Sequence, residues 1–220
     1  IVNSNPKIKA VFESWKYKTP DAFLSNLEKN QDLKNIIITS TPWVLDAEDE
    51  TEQKRRISIL FDVNRMANEK ENLTRKLLEA QLSSGAWPWF KGMREDRHTT
   101  QTIVLGMAKL NHKGVIDLDS DKKRFHMVKK AVSWLDAKIA NDYVTLKKKS
   151  GKSLNNYQIR SSQTQYLYIR ALLVDIMPIP EKSKEAFQYY IDQTKKYWLK
   201  QSNYLQGMMA ITLNKFGYRN

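Results

Sequence analysis

Apolar residues recur at helical spacing along nearly the whole chain, and very few residues interrupt them. Ile103, Val104, Met107 and Leu110 form one such stripe, and Phe125, Val128, Val132, Leu135 and Ile139 form a longer one. Intervals of three and four residues put these side chains on one face of a helix, where a strand would require alternation. Only 7 glycines and 6 prolines occur in 220 residues. Both are costly inside helices, glycine for its chain entropy and proline for its missing N–H, so their scarcity favours helices over turn-rich β architecture.

Further stripes fall at Ile8, Val11, Phe12 and Trp15; at Pro20, Phe23, Leu24 and Leu27; and at Ile59, Leu60, Val63 and Met66, which Leu73, Leu77 and Leu78 continue. Beyond the middle of the chain they fall at Tyr166, Leu167, Ile169, Leu172, Leu173 and Ile176; at Phe187, Tyr190, Ile191 and Trp198; and at Leu205, Met208, Met209 and Leu213. Thr19 ahead of Pro20 suits a helix start, and the acidic run Asp46 to Glu50 suits another, because acids face the positive end of the helix dipole. The one candidate strand, Ile36 to Thr39, has no second strand to pair with. The connections at 114–119, 150–156, 178–180 and 201–203 are short, as between antiparallel neighbours. The reading is all-α, built of antiparallel helical hairpins. Thr100 to Leu110 and Gln165 to Val174 look like equivalent helices, each with a polar start and then a small residue, Gly106 or Ala171, set against a neighbour.

Composition excludes several chemistries. With no cysteine there is no disulfide, thiolate nucleophile or internal thioester in these residues. His98, His112 and His126 lie too far apart for a spaced zinc motif. No apolar run reaches the roughly 18 residues of a membrane span, so no membrane insertion is expected. The net charge is +13, and residues 111–220 carry most of it, with 20 Lys and Arg against 9 Asp and Glu. Solvated lysines on helix exteriors account for that half, and nucleic acid is not expected as a partner. A basic module for acidic polymers stands as one alternative.

The most distinctive segment is Gln81-Leu82-Ser83-Ser84-Gly85-Ala86-Trp87-Pro88-Trp89-Phe90, followed by Asp96-Arg97-His98-Thr99-Thr100. A helix should end near Gln81, with a turn at Ser83 to Gly85. The aromatics Trp87, Trp89 and Phe90 should then fold under the next helix, which Thr99 or His98 would cap. Each large aromatic buries about 150–250 Å², enough to pin a loop to a core. Asp96, Arg97 and His98 are the one surface site singled out, with an Asp96–Arg97 ion pair expected to tie the loop down. Asp-rich metal motifs of the DDxxD kind, glycine-rich phosphate loops and paired acids across a sugar site are not evident, so no catalytic, cofactor or metal residue is assigned.

The segment resembles the Gln-x-x-Asp-Gly-Gly-Trp-x-Trp turn of α/α toroids, and in particular that of the thioester-type helical domain of bacterial α2-macroglobulins. Thr41 to Ala47, Asn64 to Glu69 and Asn3 to Ile8 extend the likeness, which covers about residues 1–115. Gln81, Gly85, Trp87, Trp89 and Phe90 are its structural signature. Here Ser84-Gly85-Ala86 replaces Asp-Gly-Gly, and the family's Cys-x-Glu-Gln thioester motif is absent from the chain. The resemblance implies residues 1–220 as a single partial α/α toroid, a fragment of a larger multidomain protease-trapping protein of the periplasm or outer envelope. It implies no catalysis of its own; its partners would be the other domains of the parent chain and, through the parent, target proteases. A toroidal carbohydrate-active or terpene-cyclase-like enzyme is the other alternative.

Overall fold

The structure, a computed structural model, describes residues 63–218. The expected stripes before residue 63, the candidate strand at Ile36 to Thr39 and the acidic run at Asp46 to Glu50 lie outside the described residues. By contact the chain divides into two compact units, residues 1–77 and 78–220. In the first, the description is confined to the start of α1, Val63–Ala80, where Thr74 Oγ1 donates back to Lys70 O at 2.8 Å.

The second unit contains α2 (Arg97–His112), α3 (Lys122–Ser150), α4 (Ser161–Leu173), α5 (Glu181–Tyr197) and α6 (Asn203–Lys215). The described residues are helical with no strand, an all-α unit. None of their helices is long and apolar enough to cross a membrane. The stops follow from the sequence. Asp121 Oδ1 accepts the Arg124 N–H at 2.9 Å as α3 begins. Pro178 and Pro180, which cannot continue the ladder, separate α4 from α5.

The helices pack alternately. Helix α4 lies against both α2 and α6, and α3 lies against α5, so that α2, α4 and α6 form one row and α3 and α5 a second. The first turns of α2, α4 and α6 line one cleft, so these three point the same way. Between the rows lies the core. Met127, Val128, Ala131, Val132, Leu135 and Ile139 of α3 meet Val104 and Ala108 of α2, Tyr166, Leu167 and Ile169 of α4, and Tyr190 and Ile191 of α5, all buried. The expected role of Gly106 does not hold: it is exposed, and a Cβ there would meet nothing within 4 Å, whereas Ala171 is buried.

Inside this core sits a charged pair that helical periodicity treats as an interruption. Asp136 of α3 and Arg170 of α4 are 2% and 1% exposed, with Arg170 Nε 3.5 Å from Asp136 Oδ1. Tyr166 donates its hydroxyl to the same oxygen at 2.7 Å. Arg170 Nη2 donates to Met177 O at 2.8 Å, and Ser183 of α5 donates its hydroxyl to Asp136 O at 3.3 Å. Burial pushes the Asp136 carboxyl up, and Arg170 offsets part of that. The network fastens three helices, and removing one charge leaves the other buried and uncompensated. Asp136→Asn is therefore expected to lower unfolding free energy by about 3–5 kcal/mol in urea titrations, while the apolar pair Asp136→Leu/Arg170→Met recovers most of the loss. Equal loss in both variants would mean that packing, and not charge pairing, sets the cost.

Candidate functional site

The segment after α1 forms a corner clamped onto α3. Gln81, just past the end of α1, donates from Nε2 to two carbonyls, Gly85 O at 2.8 Å and Met127 O at 2.9 Å. The first bond closes the turn and the second ties it to α3. Inside the turn, Gly85 N–H donates to Leu82 O at 2.8 Å and Leu82 N–H to Ala86 O at 2.9 Å. Gly85 has φ +92°, and a Cβ there would lie 2.6 Å from Lys130 O and 2.7 Å from Lys130 C. Only glycine both adopts that conformation and allows two backbones to approach so closely. Ala86 and Trp87 follow into the core, Trp87 being 2% exposed. The Trp87 N–H donates to Thr100 Oγ1 at 3.0 Å, and its carbonyl accepts from Asp96 N–H at 2.9 Å.

Trp89 and Phe90 do not fold under the next helix as expected. They are 58% and 65% exposed. Ala86 and Trp87 already fill the space beneath α2, and the chain then leaves the core through a hairpin closed by an antiparallel bridge between Pro88 and Glu95. Both rings ride on its outer part, edge to face at 6.0 Å.

The surface site is also wired differently from the expected arrangement. Neither Thr99 nor His98 caps α2. Asp96 does, its Oδ1 accepting from Thr99 N–H at 2.7 Å. That bond is the main reason its carboxyl is held below the usual range. With Asp96 engaged as the cap, Arg97 pairs instead with Asp142 on α3, Nη1 to Oδ2 at 2.5 Å. Gln163 of α4 donates to the same Asp142 oxygen at 3.4 Å. His98 is exposed, its ring 6.5 Å from the Trp89 indole and tilted 29° to it, a stacked arrangement.

Asp96, Arg97 and His98 come together on the wall of an open cleft of about 490 Å³. Gln101 of α2 completes that wall, its Nε2 donating to Ser162 O at 2.8 Å. The adjacent α4 contributes Ser161, Ser162 and Gln165, and α6 contributes Tyr204, Leu205 and Met208. Sequence reasoning missed the α4 and α6 contributions, and Asp142 with them. The shared polar starts of α2 and α4 were the one available signal; nothing local announces an Arg97–Asp142 pair 45 residues apart. His112 and His126 are exposed on α2 and α3. Among the described residues no three His, Asp or Glu side chains are grouped to hold a metal ion.

Comparison with known proteins finds no matching family model, no matching curated protein and no matching solved structure.

The corner separates buried from exposed aromatics sharply enough to test. Gly85→Ala is expected to cost at least about 2 kcal/mol of stability, from its positive φ and from the Lys130 backbone against the new methyl. Trp87→Ala should cost about 3–5 kcal/mol. Trp89→Ala and Phe90→Ala should each stay within about 0.5 kcal/mol of the parent. Chemical denaturation of the four variants checks this, and a large loss on Trp89→Ala would contradict the assignment.

Proposed function

We propose that this chain is a non-catalytic helical module of an α2-macroglobulin-type protease-trapping protein, with its helices forming part of an α/α toroid. The observation that carries the proposal is the clamp of the Gln81 corner onto the Met127–Lys130 stretch of α3. A repeated Gln-to-Trp turn serves a ring of helices if it fixes each crossing to its neighbour. Here the glutamine, the glycine and the first tryptophan all do so. Alternate helices lying in two rows, with α2, α4 and α6 pointing the same way, fit the inner and outer layers of such a ring.

The conspicuous charged groups of the second unit are engaged in structure, which favours scaffold over reaction centre. Asp96 caps α2, Arg97 and Asp142 pair with each other, and Asp136 and Arg170 fasten the core. In this reading the other domains of the parent chain are the module's immediate partners, and proteases are met through the parent. The periplasm or outer envelope is where such a protein would work. A protease cleaving the parent's bait region would trigger a rearrangement, with this module supplying a packing surface that moves.

Enclosure has a kinetic signature. The full encoded protein, incubated with an endopeptidase, is expected to abolish digestion of a large folded substrate while leaving cleavage of a short chromogenic peptide largely intact, because only small molecules reach an enclosed protease. Parallel loss of both activities, or loss of neither, contradicts the proposal.

A further inference from the structure

We infer that the cleft at the first turns of α2, α4 and α6 is a binding site for a neutral oligosaccharide. It does not depend on whether the parent chain traps proteases. At about 490 Å³ the cleft falls in the roughly 300–1,000 Å³ range of small-molecule sites. Because α4 lies between α2 and α6, its Ser162 and Gln165 form the floor, with the α2 wall on one side and the α6 wall on the other.

The chemistry of the lining selects the ligand. The lining is amphipathic, as a pyranose is: Leu205 and Met208 supply apolar surface, and Ser161, Ser162 and Gln165 offer donors and acceptors side by side for vicinal hydroxyls. Gln101, 1% exposed, lies behind them, its Nε2 donating to Ser162 O and fixing the start of α4. Both charged groups of the α2 wall are already engaged: Arg97 Nη1 pairs with Asp142 Oδ2, and Asp96 accepts the Thr99 N–H as the cap of α2. An ionic ligand would compete with these partners, and a polyhydroxylated neutral one would not.

The margins carry what a sugar needs besides hydroxyl partners, a flat apolar surface for its C–H face. On the α6 side Tyr204, a cleft residue, is 67% exposed. On the α2 side the 58% exposed Trp89 stacks on His98, which itself lines the cleft. Tyr204 lines the cleft and Trp89 lies beside one of its lining residues, so each can offer a ring face at a margin. Trp89 is held in place by the Pro88–Glu95 bridge and by its contacts with Phe90 and His98, so little ordering is left for ligand binding.

The test is calorimetric titration of the 220-residue chain with cellohexaose, chitohexaose and maltohexaose, backed by tryptophan fluorescence. A saturable isotherm is expected with at least one of the three. Trp89→Ala, Tyr204→Ala and Gln165→Ala should each weaken it by about five- to tenfold, the loss of one stacking or hydrogen-bonding partner. All three sites lie at the surface or half-buried, and unchanged circular dichroism and melting confirm that each variant folds. Lys184→Ala, on an exposed face of α5, should bind as the parent does. No heat with any of the three sugars overturns the inference, as does binding that survives both aromatic replacements. Salt-sensitive binding to heparin without a response to neutral sugars also overturns it, and assigns ligand binding to the basic surface instead.

Discussion

Everything in the second unit is arranged around an approach of two backbones that no side chain could share. Where Gly85 meets Lys130 there is no room for a β-carbon, and the positive φ that brings the chain there is one that L side chains rarely adopt. Gln81 holds the approach from one side with two carbonyls on one amide nitrogen. On the other side Trp87 is fixed by hydrogen bonds at both its N–H and its carbonyl. The corner therefore sets where α2 begins relative to α3. That in turn sets where Asp96 caps and where Arg97 reaches Asp142. Helix α2 then fixes α4 through Gln101, and α4 fixes α3 and α5 through the buried Asp136–Arg170 pair.

These fasteners differ in kind. The corner is steric and local, made of neutral hydrogen bonds and one missing methyl. The Asp136–Arg170 pair is electrostatic and held together from residues 34 apart in sequence, with Tyr166 and Met177 O satisfying part of what burial removes from water. Such pairs add little net stability over an apolar core, but they penalise any packing that separates the charges. A two-row stack of similar amphipathic helices has many nearly equivalent ways to pack. We read the pair as the feature that selects one register of α3, α4 and α5 from among them.

Much of this was legible in the sequence because helices announce themselves by period. The stripes at Val128, Val132, Leu135 and Ile139, at Tyr166, Leu167 and Ile169, and at Met208, Met209 and Leu213 are buried on described helices. The glycine at 85 and the tryptophan at 87 stood out by residue type and spacing. What failed was the inference that neighbouring aromatics share a fate. Trp87 is core and Trp89 is surface, because the chain turns outward between them, and nothing in the letters Trp-Pro-Trp-Phe fixes where that turn falls. Local reasoning also paired Asp96 with Arg97, since adjacency in sequence is visible and the competition for a carboxylate by a helix N-terminus is less so. Asp142, Gln165 and Tyr204 were beyond reach for a related cause: Gln165 and Tyr204 join the site only through the side-by-side packing of α2, α4 and α6, and Asp142 only through the packing of α3 against α2.

If the corner is a structural fastening and not a mobile loop, its amides should open only when the unit unfolds. Native-state hydrogen exchange at residues 82, 85, 87 and 96 reads this directly. Their N–H groups are donated within the corner or to α2, and they are expected to exchange at rates matching the buried amides of α4 and to share the same denaturant dependence. Exchange of those four amides at the rates of Lys91 and Gly92 on the hairpin, while α4 stays protected, would contradict the account.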